Sequence, residues 1–150
     1  QPDIPQNTGT LMRLCACMNT GLDIIEPCGF ALSDKNLRRA GMDYIDNLDL
    51  VRHADFTTFR AAAGARRIVL LTTKTDMSFL DFHFRPDDIL LLGRESAGVP
   101  ESVHEACSAR VTIPMAAGLR SLNVAVTGAM ALSEALRQTA LFPAPAPRAG

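Results

Sequence analysis

The sequence predicts an α/β fold with a mainly parallel sheet flanked by helices. Two continuous apolar runs, RIVLLTT at 67–73 and DILLLG at 88–93, have the length of strands that are covered on both faces. Strand, glycine-containing turn and helix also repeat along the chain, an order that is typical of parallel sheets. A chain of 150 residues with 47% hydrophobic content can bury one sizeable core. We therefore predict a single domain over 1–143, followed by a flexible proline- and alanine-rich tail at 144–150.

The first residues, QPDIPQNTG at 1–9, predict a loop that ends in a helix cap. Spacing alone favours Asn7 as that N-cap and Arg13 as a solvated residue of the helix. The buried face of this helix is predicted from its apolar residues, which are Leu11, Leu14, Cys15 and Met18. The chain opens on Gln1 rather than Met, so we expect an initial strand before residue 1.

The next elements follow from short apolar runs and their boundaries. Leu22–Ile25 predicts a strand, and 44–51 a less regular one. Between them, a helix at 33–41 carries three cations, Lys35, Arg38 and Arg39. Such cations are either a solvated helix face or a contact surface for phosphates, and the spacing leaves both readings open.

Later helix boundaries are marked by capping residues. Asp55 is placed to cap a helix that Gly64 ends, and Pro100 stands at the start of a short helix over 101–106. The stretch 110–136 predicts a buried strand, an irregular loop and a helix capped by Ser121, with Asn123 in its first turn. Residues that recur at intervals of three and four positions share one face of that helix. They are Leu122, Val126, Ala129, Met130, Ser133 and Leu136.

Composition excludes several classes of protein. A net charge of −1 does not suit a protein that coats nucleic acid through bulk positive charge. No apolar run approaches the roughly 20 residues of a membrane span. The four cysteines fit neither a zinc pattern nor a disulfide framework, so reduced thiols and the cytoplasm are expected. His53, His83 and His104 lack metal-ligand spacing, and neither a P-loop nor a GxGxxG follows a strand.

Parallel sheets place ligands at the carboxyl ends of their strands. Three such ends are predicted, at 71–73, 92–95 and 113–115. Free backbone groups at the start of the last helix add to the case for a site there. Glu95, just after a strand, is either catalytic or closes a loop by accepting hydrogen bonds.

Three sequence blocks then carry a resemblance to a known family. They are IPQNTGTLMRLCAC at 4–17, LLLGRESAGVP at 90–100 and IPMAAGLRSLNVAVTGAMALSEA at 113–135. In this order they resemble the SpoU branch of the SPOUT methyltransferases. With IIEPCGF and DKNLRRAGMDY between the first two blocks, the pattern is similar to the tRNA wobble-nucleotide ribose 2′-O-methyltransferases of that branch.

The resemblance implies a C-terminal deep trefoil knot, a homodimer and S-adenosylmethionine bound in the knot. It implies tRNA as the substrate, with leucine tRNAs expected, and no metal. By position, cofactor-binding residues would be Leu71, Thr72, Gly93, Glu95, Ile113, Met115, Ser121 and Leu122. The family's catalytic polar positions match Asn7, Arg13, Glu95, Ser121 and Asn123. Candidates for the RNA backbone are Lys35, Arg38, Arg39 and Lys74.

The resemblance changes the interpretation of Arg13. A functional role for this residue is then favoured over that of a solvated helix residue. In the family, the arginine at the position of Arg13 is proposed as the base that removes the proton of the ribose hydroxyl. Arginine side chains, however, stay protonated at neutral pH. Anchoring a phosphate and stabilising developing oxyanion charge is the role that suits Arg13 better. Three alternatives remain: a SpoU-type enzyme for another tRNA or rRNA position, a non-catalytic RNA-binding protein with this fold, and a small-molecule-binding α/β domain.

Overall fold

A computed structural model of the chain describes residues 1–31 and 46–145. The predicted helix at 33–41, with Lys35, Arg38 and Arg39, lies outside the described residues, as does the start of the segment 44–51. The helices are α1 Pro5–Cys17, α2 Phe56–Ala63, α3 Glu101–Ala106 and α4 Val124–Thr139. The strands are β1 Leu22–Ile25, β2 Leu50–His53, β3 Ile68–Leu71, β4 Ile89–Leu92 and β5 Ala109–Val111.

Every pairing between these strands is parallel. β1 pairs with β2, and a three-stranded sheet has the order β4-β3-β5. At its carboxyl end, Leu71 of β3 is in register with Leu92 of β4 on one side and with Val111 of β5 on the other. The predicted α/β class with parallel strands flanked by helices is therefore confirmed.

Strand β3 is buried on both faces, as its continuous apolar run predicts. All four of its residues are buried, and successive side chains point to opposite faces. Ile68 and Leu70 pack in one cluster with Phe59 of α2. Val69 and Leu71 pack in a second cluster on the other face, which includes residues of β5 and α4. The core thus lies on both sides of the sheet that carries the predicted site.

Helix α4 packs closely because the residues it buries are mostly small. A Cβ at Gly128 would lie 2.8 Å from Leu11 Cδ2 of α1 and 3.0 Å from Leu92 Cδ1 of β4. The other buried residues of this helix are Ala125, Ala131 and Leu136. Glycine and alanine here bring the helix backbone close to both neighbours.

The apolar stripe predicted from the spacing in α4 is for the most part not its buried face. Leu122, Val126 and Met130 are 38%, 47% and 39% exposed, although Leu136 is buried. The spacing identified an apolar stripe correctly. It could not tell which side of the helix meets the sheet, because the packed side carries small residues rather than large apolar ones.

Two helix starts differ from their predictions. Helix α4 begins at Val124 with Asn123 as its N-cap, so Ser121 is not the cap. Helix α1 begins at Pro5, with Ile4 at the N-cap position, so Asn7 lies inside the first turn. Proline suits the first helical position because its missing N–H would have no intrahelical partner there.

Other local predictions are confirmed. Strand β1 and helix α3 have the predicted bounds, and the Asp55 carboxylate accepts a hydrogen bond from Thr58 N at 2.7 Å as the cap of α2. Gly64 follows this helix with a φ of 60°. All four cysteines are free thiols. Within the described ranges, no helix is long and apolar enough to cross a membrane.

Candidate active site

A cleft of about 550 Å³ opens at the carboxyl ends of β3, β4 and β5. This volume lies within the range of about 300–1,000 Å³ that is usual for small-molecule sites. Because the three strands are parallel and in register, the segments that follow them meet at one edge of the sheet. The loop before α4, the first residues of that helix, the start of α1 and one residue of α3 also line it.

The structure brings together most of the residues predicted for the site. All eight predicted cofactor residues line the cleft: Leu71, Thr72, Gly93, Glu95, Ile113, Met115, Ser121 and Leu122. Asn7, Asn123 and Lys74 line it as well. Arg13 does not, since it lies exposed on α1, and Lys35, Arg38 and Arg39 are outside the described residues.

Three polar side chains form a connected network at the edge of the cleft. Asn7 Nδ2 donates to Glu95 Oε1 at 3.1 Å, and Asn123 Nδ2 donates to Asn7 Oδ1 at 2.9 Å. Asn123 Oδ1 accepts from the backbone N–H groups of Ala125 and Val126 at 2.9 and 3.2 Å. The network therefore joins the loop after β4 to α1 and to the start of α4.

Both oxygens of Glu95 accept hydrogen bonds. Oε1 accepts from Asn7, and Oε2 accepts from Asp3 N at 2.9 Å. Asp3 in turn accepts a hydrogen bond from the Ser96 hydroxyl. Glu95 thus holds the N-terminal segment and its own loop in place, which is the structural alternative that the sequence left open.

The loop after β4 presents backbone to the cleft. Arg94 and Gly98 exchange two backbone hydrogen bonds, of 2.9 and 2.8 Å, and Gly98 has a φ of 68°, which favours glycine. A Cβ at Gly93 would lie 2.8 Å from Gly98 Cα. Only glycine lets the two sides of this loop approach so closely, and both Gly93 and Gly98 line the cleft.

His104 lies on this wall, although the sequence did not indicate it as a site residue. The residue lines the cleft from α3, and Arg110 Nε donates to its Nδ1 at 2.9 Å. A lone histidine without metal-ligand spacing carries no signal of a site, so only the folded chain reveals this position. Across residues 1–31 and 46–145, no three His, Cys, Asp or Glu side chains are grouped so that they could hold a metal ion.

The arrangement suits an elongated ligand with apolar and polar parts. Leu92, Val99 and Met115 supply apolar wall, while the strand-end loops and the start of α4 supply backbone hydrogen-bonding groups. The amide network lies at the edge formed by α1 and α4. Such a cleft can bind one ligand and position a second reactant beside it.

Comparisons with known proteins identify the family. The sequence pattern of the SpoU rRNA Methylase family matches residues 1–133. A tRNA (cytidine(34)-2′-O)-methyltransferase of Beijerinckia indica is 61% identical over 140 residues, which are 92% of this chain and 88% of that protein.

Solved structures agree with this match. A structure that concerns the 2-OH methylation of C/U34 on tRNA superposes with a TM-score of 0.86 at 40% identity, over 92% of this chain and 91% of that one. The SpoU methyltransferase AviRb from Streptomyces viridochromogenes, in complex with AdoMet, gives a TM-score of 0.76 at 29% identity, over 92% of this chain and 57% of that one. The chain belongs to the SpoU methylase family.

Proposed function

We propose that this chain is an enzyme that transfers a methyl group from S-adenosylmethionine to the ribose 2′-hydroxyl of nucleotide 34, the wobble nucleotide of tRNA. The observation that carries the proposal is the cleft, where all the predicted cofactor residues meet the amide network. The assignment to nucleotide 34 is supported by the Beijerinckia indica relative, a tRNA (cytidine(34)-2′-O)-methyltransferase that is 61% identical over 92% of this chain.

The residues of the cleft fit S-adenosylmethionine. The volume of about 550 Å³ is of the right order for a nucleoside with an amino-acid arm. Gly93 brings the backbone of its loop against Gly98 at the cleft wall, and Leu71, Ile113 and Met115 contribute apolar residues to the same lining. When bound, this cofactor supplies an electrophilic methyl group on a sulfonium.

The amide network then serves to position the reactants. The Asn123 side chain is fixed by its hydrogen bond with the backbone of α4, and the Asn7 side chain by its hydrogen bonds with Asn123 and Glu95. Each amide therefore has one orientation. Holding two reactants in line can supply several kcal/mol of the barrier, about 7–11 in well-oriented systems. Arg13, which lies outside the cleft, would act from the RNA side by anchoring a phosphate and stabilising developing charge on the hydroxyl oxygen.

The RNA contacts would be local, because the net charge is −1. Lys74 is an exposed residue of the cleft lining, and we assign it a contact with the RNA backbone. We assign the same contact to Lys35, Arg38 and Arg39 from their sequence. The proposed substrate is cytoplasmic tRNA, and leucine tRNAs are the first candidates.

We also propose that the chain acts as a homodimer. Leu122, Val126 and Met130 recur every four residues and so form an exposed apolar stripe that begins at the cleft and follows α4. Leu119 in the preceding loop extends it and is 67% exposed. Contiguous apolar surface of this kind is typical of interfaces. Sedimentation of Val126→Lys should give a lighter species than that of the unchanged chain.

The same domain, 1–143, would contain the trefoil knot. Strand β5 lies beside β3 on the side away from β4, yet α4 packs on Leu92 of β4 and Leu11 of α1. The chain after Val111 therefore has to cross the strand ends. Thr112 also forms two backbone hydrogen bonds with the loop after β3, through Met77 O and Phe79 N. These crossings are the observations that favour a threaded C-terminal part.

Transfer of labelled methyl from S-adenosylmethionine to unmodified tRNA tests the function. We expect label in a 2′-O-methyl nucleotide that mass analysis of digested tRNA maps to nucleotide 34. Label at another nucleotide would keep the enzyme class and reject the site. No label on tRNA or rRNA from a chain that binds the cofactor would favour the non-catalytic RNA-binding alternative.

A further inference from the structure

His104 is the one residue of the cleft wall whose side chain ends in a buried hydrogen-bonding atom without a partner among the described residues. Its side chain is 13% exposed, and Nε2 is buried and forms no hydrogen bond within the described ranges. Buried polar atoms are almost always paired, so an exception on the wall of a ligand cleft calls for a physical reason.

Arg110 fixes the ring and its tautomer. Its Nε donates to His104 Nδ1 at 2.9 Å, and its Nη2 donates to the His104 carbonyl at 2.6 Å. A guanidinium can only donate, so Nδ1 must be the unprotonated nitrogen in this contact. The proton of the neutral ring is then on Nε2. Glu101 lies 3.9 Å from Nδ1, too far to compete for that position.

The ring is attached to the sheet rather than to the amide network. Arg110 belongs to β5, where it is in register with Leu70 of β3. Leu70 and Val111 line the cleft together with His104 and are fully buried, so the ring lies among buried apolar residues on one hand and the Arg110 guanidinium on the other. An N–H in such surroundings binds an acceptor strongly because it has little water to displace.

We propose that His104 donates a hydrogen bond from Nε2 to the nucleoside part of the ligand in this cleft, and so is a specificity-determining residue for the adenosine end of the cofactor. This inference rests on the proposed function. The acceptor class is a ring nitrogen or a ribose oxygen. Because Nε2 is buried, the neighbouring side chains must shift slightly on binding, as side chains in binding sites commonly do.

The test compares two variants of His104 with the unchanged chain, by calorimetric binding of S-adenosylhomocysteine. His104→Leu removes the donor, and we expect about a tenfold weaker Kd. His104→Gln places an amide N–H near the position of Nε2 and should stay within about threefold. Glu105→Gln, an exposed change on the same helix, is the matched control and should bind as the unchanged chain does.

Thermal unfolding without ligand separates a binding role from a structural one. His104→Leu removes the unpaired Nε2 donor and also the Nδ1 acceptor of Arg110, so a modest fall in its melting temperature agrees with the proposal as long as the Kd weakens as well. A lowered melting temperature with unchanged Kd would mean that His104 only supports the fold, and would overturn the proposal.

A second ligand, 5′-methylthioadenosine, identifies the acceptor. It keeps the nucleoside and lacks the amino-acid arm, so His104→Leu should weaken its binding by the same factor. A loss confined to S-adenosylhomocysteine would place the contact on the carboxylate and overturn the assignment to the nucleoside. If the unchanged chain binds neither compound, the proposed function fails and the inference fails with it. Normal binding by the unchanged chain and by both variants would contradict the inference alone.

Discussion

Asn123 donates a hydrogen bond from Nδ2 to Asn7 Oδ1 at 2.9 Å, and this contact links two segments that are 116 residues apart in the chain. The orientation of both amides follows from their other partners. Asn123 Oδ1 already accepts from two backbone N–H groups, and Asn7 Nδ2 donates to a carboxylate of Glu95, which only accepts. The cap of α4 is thereby part of the candidate active site.

Two substitutions of Asn123 should separate its capping role from its link to Asn7. Asn123→Ala loses the cap, so the free energy of unfolding in urea should fall by about 1 kcal/mol. Asn123→Asp keeps an accepting oxygen for the cap and should retain that stability. It has no N–H for Asn7, so methyl transfer should fall at least about tenfold in both variants.

Asp55→Ala is the matched control for that pair. Asp55 caps α2 through Thr58 N and does not line the cleft, so its loss should cost similar stability without loss of methyl transfer. Full activity of Asn123→Asp would show that the link to Asn7 is not needed.

Gly93→Ala should weaken both the fold and the binding of S-adenosylhomocysteine. The new Cβ would lie 2.8 Å from Gly98 Cα and 2.9 Å from Gly98 C, both backbone atoms that cannot move aside cheaply. Overpacking of this kind costs about 1–3 kcal/mol in urea unfolding. Gly21→Ala is the control, because its Cβ would meet nothing nearer than 3.6 Å. Equal stability and affinity for the two variants would contradict the prediction.

Glu134 should contribute to the pH dependence of stability. Hydrogen bonds from Arg137, and then Gln138, lower the pKa of Glu134 from 4.5 to about 2. A carboxyl whose pKa is lower in the folded state stabilises the fold above its unfolded pKa and loses that contribution as the pH falls towards 2.

Urea unfolding between pH 7 and pH 2 measures this contribution. Relative to the unchanged chain, Glu134→Gln should be less stable near neutral pH, and the difference should shrink as the pH falls below about 5. A difference that stays constant over the whole range would assign the effect to packing rather than to charge.

Arg13→Ala should retain the affinity for S-adenosylhomocysteine and lose methyl transfer. Arg13 does not line the cleft, so cofactor binding should be indifferent to it. Arg13→Lys keeps the charge without the two-pronged donor and should recover little activity. Arg85→Ala, another exposed arginine outside the cleft lining, serves as control. Unchanged turnover in Arg13→Ala would exclude a catalytic role.

Much of the fold was predictable because its signals are local. Continuous apolar runs placed β3 and β4, and the Asp55 cap placed α2. The ligand edge followed from strand ends in a parallel sheet, a rule that needs topology but no side-chain contacts.

The unpredicted features depend on long-range packing. Spacing in α4 showed an apolar stripe, but only the contacts of Gly128 with Leu11 and Leu92 determine that the opposite side is packed. Likewise, the sequence predicted Ser121 as the cap with Asn123 in the first turn, whereas Asn123 is the cap and its N–H is accepted by Asn7, which lies far away in the sequence. His104 became a site residue only through Arg110 and the cleft beside it.

One pair of substrates tests the central claim most directly. Two tRNA molecules are prepared that differ only at the ribose of nucleotide 34, one with a free 2′-hydroxyl and one already 2′-O-methylated. We expect about one methyl group to be transferred per molecule of the first tRNA and none to the second. Equal transfer to both tRNA molecules would place the reaction at another nucleotide and contradict the proposed function.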